Sequence, residues 1–303
     1  MAALTRKVTA CAAIALAFAV TAQAQNNRSF VATAGNDANN CSASAYCRTF
    51  TRALAVTNSG GEIVVVDSGG YGPATITQPV VITAIGVDAS ITAGSGNSQD
   101  ALIINTPGNV TITGLSLYGG TQGGIGIDVQ QVGFLRLYNI QIENFESYGL
   151  VTGSGKLALY NSRITNCYGG LYMFNSAQAY VDNTSFDHNQ GEGAGAETGA
   201  ALTIANSSAQ YNVGGFAADG GSVTLYNDEI SFNEFGLSVS GTTDIAGAGQ
   251  LYFVDCLVHD NTFVSYMVNA GGTLSGSSPG TTMITPGQGT SGGGALSSGI
   301  ALQ

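Results

Sequence analysis

From Leu135 to Asn261 the chain places apolar side chains at every second position in short runs, each closed by a polar cluster. The runs read LRLYNIQIENFESYGL, LALYNSRITNCYGGL, AYVDNTSFDHNQ, LTIANSSAQYNVGGF, VTLYNDEISFNEFGL and LYFVDCLVHDNTFV. Alternation of this kind turns one face of a strand inward and the other toward water. One column of the register holds Asn139, Asn161, Asn183, Asn206, Asn227 and Asp255, separated by 22, 22, 23, 21 and 28 residues. Only the last step departs, and Thr242–Gly249 supplies the extra loop. A period of this length marks stacked units, none of which can bury its apolar face alone. Gly, Asn and Ser break each unit too often for a ten-residue helix. Three short strands joined by tight turns fit instead, with coils ~4.8 Å apart. The Asn column then reads as a structural ladder whose amides bond from coil to coil. A looser second column follows at Asn144, Asn166, Asn212, Asn233 and Asn261. The expected fold is an all-β, single-domain parallel β-helix of about 22-residue coils.

Around this body the chain divides simply. Residues 1–24 read as a signal peptide: Arg6 and Lys7, an apolar core at Val8–Val20, and Ala22-Gln23-Ala24 as the cleavage site. The apolar run is too short to cross a bilayer, so no membrane insertion is expected. The mature protein should begin near Gln25 and be secreted or periplasmic. Arg48–Thr57 is the one expected helix, with Phe50, Ala53 and Leu54 on one face and Gly60-Gly61 ending it. An open first coil would expose apolar side chains and unpaired strand groups, so this helix is the expected N-terminal lid near 48–57. Early coils follow at Glu62–Asp67, Ala74–Thr77, Val80–Ile85, Ala89–Thr92, Ala101–Ile104 and Val110–Leu117. The β-helix domain is placed at 25–270. Residues 271–303, dominated by Gly, Ser and Thr, are expected to form a C-terminal cap or tail.

The recurring Asn, apolar, Asn, Gly phrasing resembles the right-handed parallel β-helix proteins of the pectin-lyase-like superfamily. The helix followed by I-V-V-V-D and G-G-Y-G-P looks like the opening segment of many secreted members. The resemblance covers most of the mature chain and implies a right-handed solenoid. It does not imply one activity, because the architecture hosts lyases, hydrolases, epimerases and phage adhesins. Pectate lyases of that superfamily cluster acids for calcium and add a basic proton abstractor; polygalacturonases carry paired Asp, Gly-His-Gly and Arg-x-Lys. Neither set maps here. Asp228-Glu229 is the only adjacent acid pair, His188 and His259 are the only histidines, and no Arg or Lys follows Arg163.

Charge narrows the partners. Without its first 24 residues the chain keeps six basic against nineteen acidic residues, a formal −13. Such a surface repels nucleic acid and anionic lipid, so neither is expected as a partner. Cys41 and Cys47 flank a short loop and are expected to form a disulfide in an exported protein. Cys167 and Cys256 lie four coils apart, roughly 19 Å, and read as buried free thiols. No metal site or cofactor is assigned. Asp182, Asp187, Glu192 and Glu197 surround a Gly-rich stretch with ligands that would suit calcium, but a solvated loop is the preferred reading.

Two groups of residues could carry function. Tyr138, Tyr160 and Tyr226 precede the ladder Asn, and Tyr180 and Tyr252 stand two positions earlier in their coils. Together they would form an outward stripe able to stack on sugar rings, although strand propensity alone also favours tyrosine. Glu143 and Asp187 fall in one column two coils apart, ~9.6 Å, near the upper spacing of an inverting glycosidase pair, with Arg163 close by. No Ser, His and Asp set suggests an esterase. The expected function is a non-catalytic exported scaffold that binds polysaccharide or cell-envelope material. The alternative is a polysaccharide lyase or glycoside hydrolase.

Overall fold

A computed structural model describes residues 25–94, 99–120, 123–240, 248–269, 271–277, 283–284, 289–292 and 295–296. The signal segment and most of the Thr242–Gly249 loop lie outside the described residues. The chain winds into a right-handed parallel β-helix of about 9 turns. One coil consists of Phe134–Tyr138, Gln141–Glu143 and Tyr148–Thr152. Stacking these units gives one sheet of 12 strands and two of 10, each strand pairing with its equivalents in the neighbouring coils. We call them the first, second and third sheets, in the order the chain meets them within a coil. The register follows the sequence columns: Leu135 pairs with Leu157, Leu157 with Ala179 and Ala179 with Leu202.

Alternation fixes the core. Leu137, Leu159, Val181, Ile204, Leu225 and Phe253 form one inward column of the first sheet, all fully buried. Ile142, Ile164, Phe186, Ala209, Ile230 and Val258 do the same in the second. Each such side chain contributes roughly 1.5–3 kcal/mol for the larger aliphatics, and only because a neighbouring coil covers it.

The helix is Phe50–Val56. Its N-cap is Thr49, whose hydroxyl accepts from the Arg52 amide, and its C-cap is Thr57 rather than a glycine. Phe50, Ala53, Leu54 and Val56 are buried against the opening coils. A strand that the pattern did not announce, Asn26–Val31, comes before it and pairs with Thr57–Val65. The Cys41–Cys47 disulfide is present, and Cys47 also bridges to Val31. Cys167 and Cys256 are buried free thiols, and burial pushes them up to about 11 and about 12. At the other end the coils run on past Asn269. Thr273–Ser277 pairs with Gln250–Val254, Met283–Ile284 with Leu257–His259, and Gly289–Gly292 with Val264–Asn269. The Gly/Ser/Thr-rich segment therefore contributes strands, because parallel pairing needs backbone groups and not large side chains.

The two Asn columns differ from the expected ladder. Asn139, Asn161, Asn183, Asn206, Asn227 and Asp255 all adopt φ between 49° and 55° and sit exposed at the corner between the first and second sheets. Their common requirement is a left-handed backbone, which Asn and Asp tolerate best after Gly. The amides are only partly linked: Asn183 donates to Asn161 at 2.8 Å and Asn227 to Asn206 at 2.9 Å, while Asn206 donates instead to Asp182 at 2.8 Å. Replacing Asn161 by Leu is thus expected to cost about 1–2 kcal/mol through backbone strain, and Asn161→Gly a few tenths. Equal losses for both in thermal unfolding would return the weight to side-chain stacking.

The second column proves to be two. Asn144 and Asn166 share a left-handed corner with His188, Tyr211, Phe232 and Asp260. Asn212, Asn233 and Asn261 stand one position later, with Asn189, and point inward. This is the buried ladder. Asn212 Oδ1 accepts from the Asn189 amide N–H at 2.8 Å and from Asn189 Nδ2 at 3.0 Å. Asn233 Oδ1 accepts from the Asn212 amide N–H and Nδ2 at 2.9 and 3.1 Å. Asn261 repeats the arrangement on Asn233 at 3.0 and 3.1 Å.

Candidate functional site

The pairing places the predicted tyrosines as the alternation implied. Tyr138 pairs with Tyr160, and Tyr180 lies in the adjoining column beside Ala158. Tyr138 and Tyr160 stack at 5.1 Å with planes 8° apart, and Tyr160 meets Tyr180 at 5.9 Å and 53°. Tyr226 and Tyr252 are exposed further along the same sheet, Tyr226 opposite Ala205 and Val254, Tyr252 opposite Thr224. The stripe therefore contains a contacting trio, Tyr138, Tyr160 and Tyr180.

Glu143, Thr165 and Asp187 form one column of the second sheet. Arg163 Nε lies 3.4 Å from Asp187 Oδ2, which ties the predicted basic residue to one of the two predicted acids. Further along, Ser231 pairs with His259, and Asp260 Oδ2 is 2.8 Å from His259 Nδ1. Ser231 is fully buried and donates to Glu229, so this grouping lacks an exposed nucleophile. The corner of exposed Asn residues lines a groove of about 870 Å³. The carboxylate of Asp228 is turned inward there: its two oxygens accept the amides of Ser207 and Tyr226 at 2.7 and 2.9 Å. Burial pushes Asp228 up to about 7 against those hydrogen bonds.

The most distinctive chemistry lies on the third sheet. Glu192–Glu197 is a strand there, not a solvated loop, and pairs with Gly214–Asp219. Glu192, Glu197 and Asp219 all line one cleft there, and Asp219 pairs with Glu197. Neighbouring positions are small. A Cβ on Gly195 would lie 2.6 Å from Glu192 Oε2, one on Gly214 would meet Glu192 Cγ at 2.9 Å, and one on Gly169 would meet the Tyr148 ring at 2.5 Å. The glycines thus form a floor on which these side chains lie flat. Tyr148 and Tyr172 stack beside it at 4.7 Å and 25°, with Tyr168 edge-on to Tyr148 at 5.6 Å. The result is a cleft of about 380 Å³ bounded at its other end by Phe235 and Met267.

Electrostatics sets this cleft apart. Burial, reinforced by the negative charges of Asp219 and Glu197, pushes Glu192 up to about 8. Asp219 is raised too, chiefly by burial, although the Ser240 hydroxyl donates to it at 2.5 Å. Tyr172 is raised by burial and by its hydrogen bond to Glu197. At neutral pH Glu192 is therefore a protonated acid beside other carboxyl groups, an arrangement that concentrates at sites of binding or catalysis. Among the described residues no group of three or more His, Cys, Asp or Glu is arranged to hold a metal ion. The sequence did contain a signal for this site. Gly169, Gly195, Gly214 and Ala217 fall at outward strand positions where the other sheets carry larger polar residues.

A family model described as a right handed beta helix region matches residues 150–285, and the chain is a right-handed parallel β-helix of the pectin-lyase-like fold. No curated protein matches the sequence. Among solved structures, an alginate lyase from Paenibacillus sp. str. FPU-7 is similar at 16% identity and TM-score 0.59, over 91% of this chain and 98% of that one. Pectate lyase Pel9A is similar at 15% identity and TM-score 0.50, over 92% and 80%. ORF18 of Geobacillus virus E2 is similar at 13% identity and TM-score 0.59, over 80% of this chain and 53% of that one. At these identities the likeness is one of fold.

Proposed function

We propose that the chain is an exported glycan-binding protein that takes a polysaccharide or cell-envelope saccharide in the third-sheet cleft. One observation carries the reading: the stacked Tyr148–Tyr172 pair beside a glycine floor under Glu192, in a cleft that Glu197 and Asp219 also line. Aromatic rings cover the C–H faces of a sugar, and carboxyl groups within reach bond its hydroxyls. The chain's net charge of −11 favours a neutral glycan over a polyanionic one. The Cys41–Cys47 disulfide is consistent with export. Titration against a panel of neutral oligosaccharides tests the proposal. Tyr172→Ala is expected to weaken binding about tenfold. Unchanged affinity in that variant would remove the cleft as the binding site.

A second reading, glycoside hydrolysis, draws on the burial of Glu192 beside Asp219 and Glu197, which pushes its carboxyl up to about 8 and favours the protonated form at neutral pH. Glu192 could donate that proton to the glycosidic oxygen as the C–O bond breaks, while one of its neighbours, Glu197 or Asp219, takes a proton from the attacking water. New reducing ends over time, abolished by Glu192→Gln with binding retained, would select this reading. Binding with no product selects the scaffold.

A further inference from the structure

We propose that the first sheet carries a second, independent site: a notch over Ala158 that binds an aromatic ring bearing a single carboxylate. Ala158 is an outward position with only a methyl group. Arg136 and Tyr180 stand on either side of it in its column, and Lys156 and Tyr160 flank it within its own strand. Its small side chain leaves a recess of about 260 Å³. That is slightly below the usual range for ligand pockets and suits one ring rather than a chain of sugars. Phe134, Tyr160, Tyr180 and Ala158 make most of the walls, with Lys156 and Gln178 as the polar lining. With rings and a methyl group dominating, a flat apolar body fits better than a polyhydroxylated sugar.

Charge supplies the second half of the argument. Among the described residues four cations are occupied. Arg28 pairs with Glu62 and Arg163 with Asp187, while Arg48 and Arg52 bond backbone carbonyls. Among the described cations Arg136 and Lys156 alone have neither a carboxylate within ion-pair distance nor a hydrogen-bonded carbonyl, although the chain carries nineteen acids. Arg136 lies 3.7 Å over the ring of Phe134, itself one of the walls of the notch. The nearest acid on this face, Asp182, is already engaged by Asn206. Two free cations beside an apolar recess, on a protein that otherwise repels anions, select a ring with one negative substituent.

The test is calorimetric or NMR titration of the full chain with 4-hydroxybenzoate, its neutral amide 4-hydroxybenzamide, and glucuronate. The benzoate is expected to bind weakly, the amide about tenfold less tightly, and glucuronate not measurably at the same concentrations. Lys156→Gln should weaken benzoate binding about fivefold. Ala158→Leu should abolish it, with far-UV circular dichroism unchanged. Equal affinity for benzoate and benzamide, or no effect of Lys156→Gln, would overturn the proposal. Glucuronate binding as tightly as benzoate would overturn its choice of ring. Tyr172→Ala leaves this site intact, so its fate is separable from that of the cleft.

Discussion

Replacing Asn212 by Leu is expected to destabilise the protein by about 3–5 kcal/mol, the largest loss for any single polar residue in the coil corners. The change strands the Asn189 amide N–H and weakens the environment of Asn189 Nδ2, which keeps one bond, to the Ile164 carbonyl at 3.4 Å. It also removes the donor to the Phe186 carbonyl at 2.8 Å and one of the two donors to Asn233 Oδ1. Each orphaned buried group costs about 1–3 kcal/mol, and leucine supplies no bond in return. Denaturant unfolding of Asn212→Leu beside Asn161→Leu gives the comparison. A loss for Asn212→Leu no larger than that for Asn161→Leu would mean that the inward ladder does not carry the corner.

This contrast marks where sequence reasoning succeeded. Spacing alone located both corners of each coil and the strands between them, because burial of alternate apolar residues leaves a visible period. It also placed Glu143, Thr165 and Asp187 in one column, as the strand pairing has them. It could not say which Asn points inward. An exposed Asn that tolerates φ near +50° and a buried Asn that satisfies neighbouring coils are the same letter, one position apart. Asn144 and Asn212 were grouped together for that reason. The aromatic occupants of the left-handed corner, Tyr211 and Phe232, hid the register further. Their rings stack at 5.1 Å and 7°, and this contact offsets a conformation that bulky residues otherwise avoid.

The third-sheet cleft was harder to read. GEGAGAE looks like a flexible loop when composition is weighed residue by residue, yet it forms Glu192–Glu197 of a sheet. Glycine weakens an isolated strand, but here the flanking coils supply the backbone partners. Removal of side chains at those positions is what lets Glu192 lie against the sheet and lose its water. Burial of a carboxyl depends on neighbours two coils away in sequence, which no local pattern records. The tyrosine stripe was legible as a set of outward rings. That Tyr138, Tyr160 and Tyr180 form a contacting trio follows from which rings meet, a property of the assembled sheet.

Stability is expected to fall as pH rises from about 5 to about 9, by on the order of 2–4 kcal/mol, and Glu192→Gln should remove about half of that slope. Glu192 has an ordinary carboxyl value of 4.5 when unfolded and about 8 in the cleft. Asp228 moves the same way, from 3.8 to about 7. For both groups the folded chain holds a proton that the unfolded chain has released. Their contribution is therefore complete below the unfolded values, and it is lost as pH climbs through about 7 and about 8. Asp67 works in the opposite direction: the Tyr71 hydroxyl and Thr33 hold it below its usual value, so its contribution fades on strong acidification. The two trends together put maximal stability on the acidic side of neutral. Thermal midpoints across this range, measured for the unaltered chain and for Glu192→Gln, provide the check. Glutamine keeps the size and hydrogen-bonding capacity of a protonated Glu192 but cannot ionise, so the variant should be no less stable than the parent at pH 5 and more stable at pH 9. A parent chain whose stability rises through this interval would mean that Glu192 is solvated and ionised, and the protonated acid on which the hydrolytic reading depends would be gone with it.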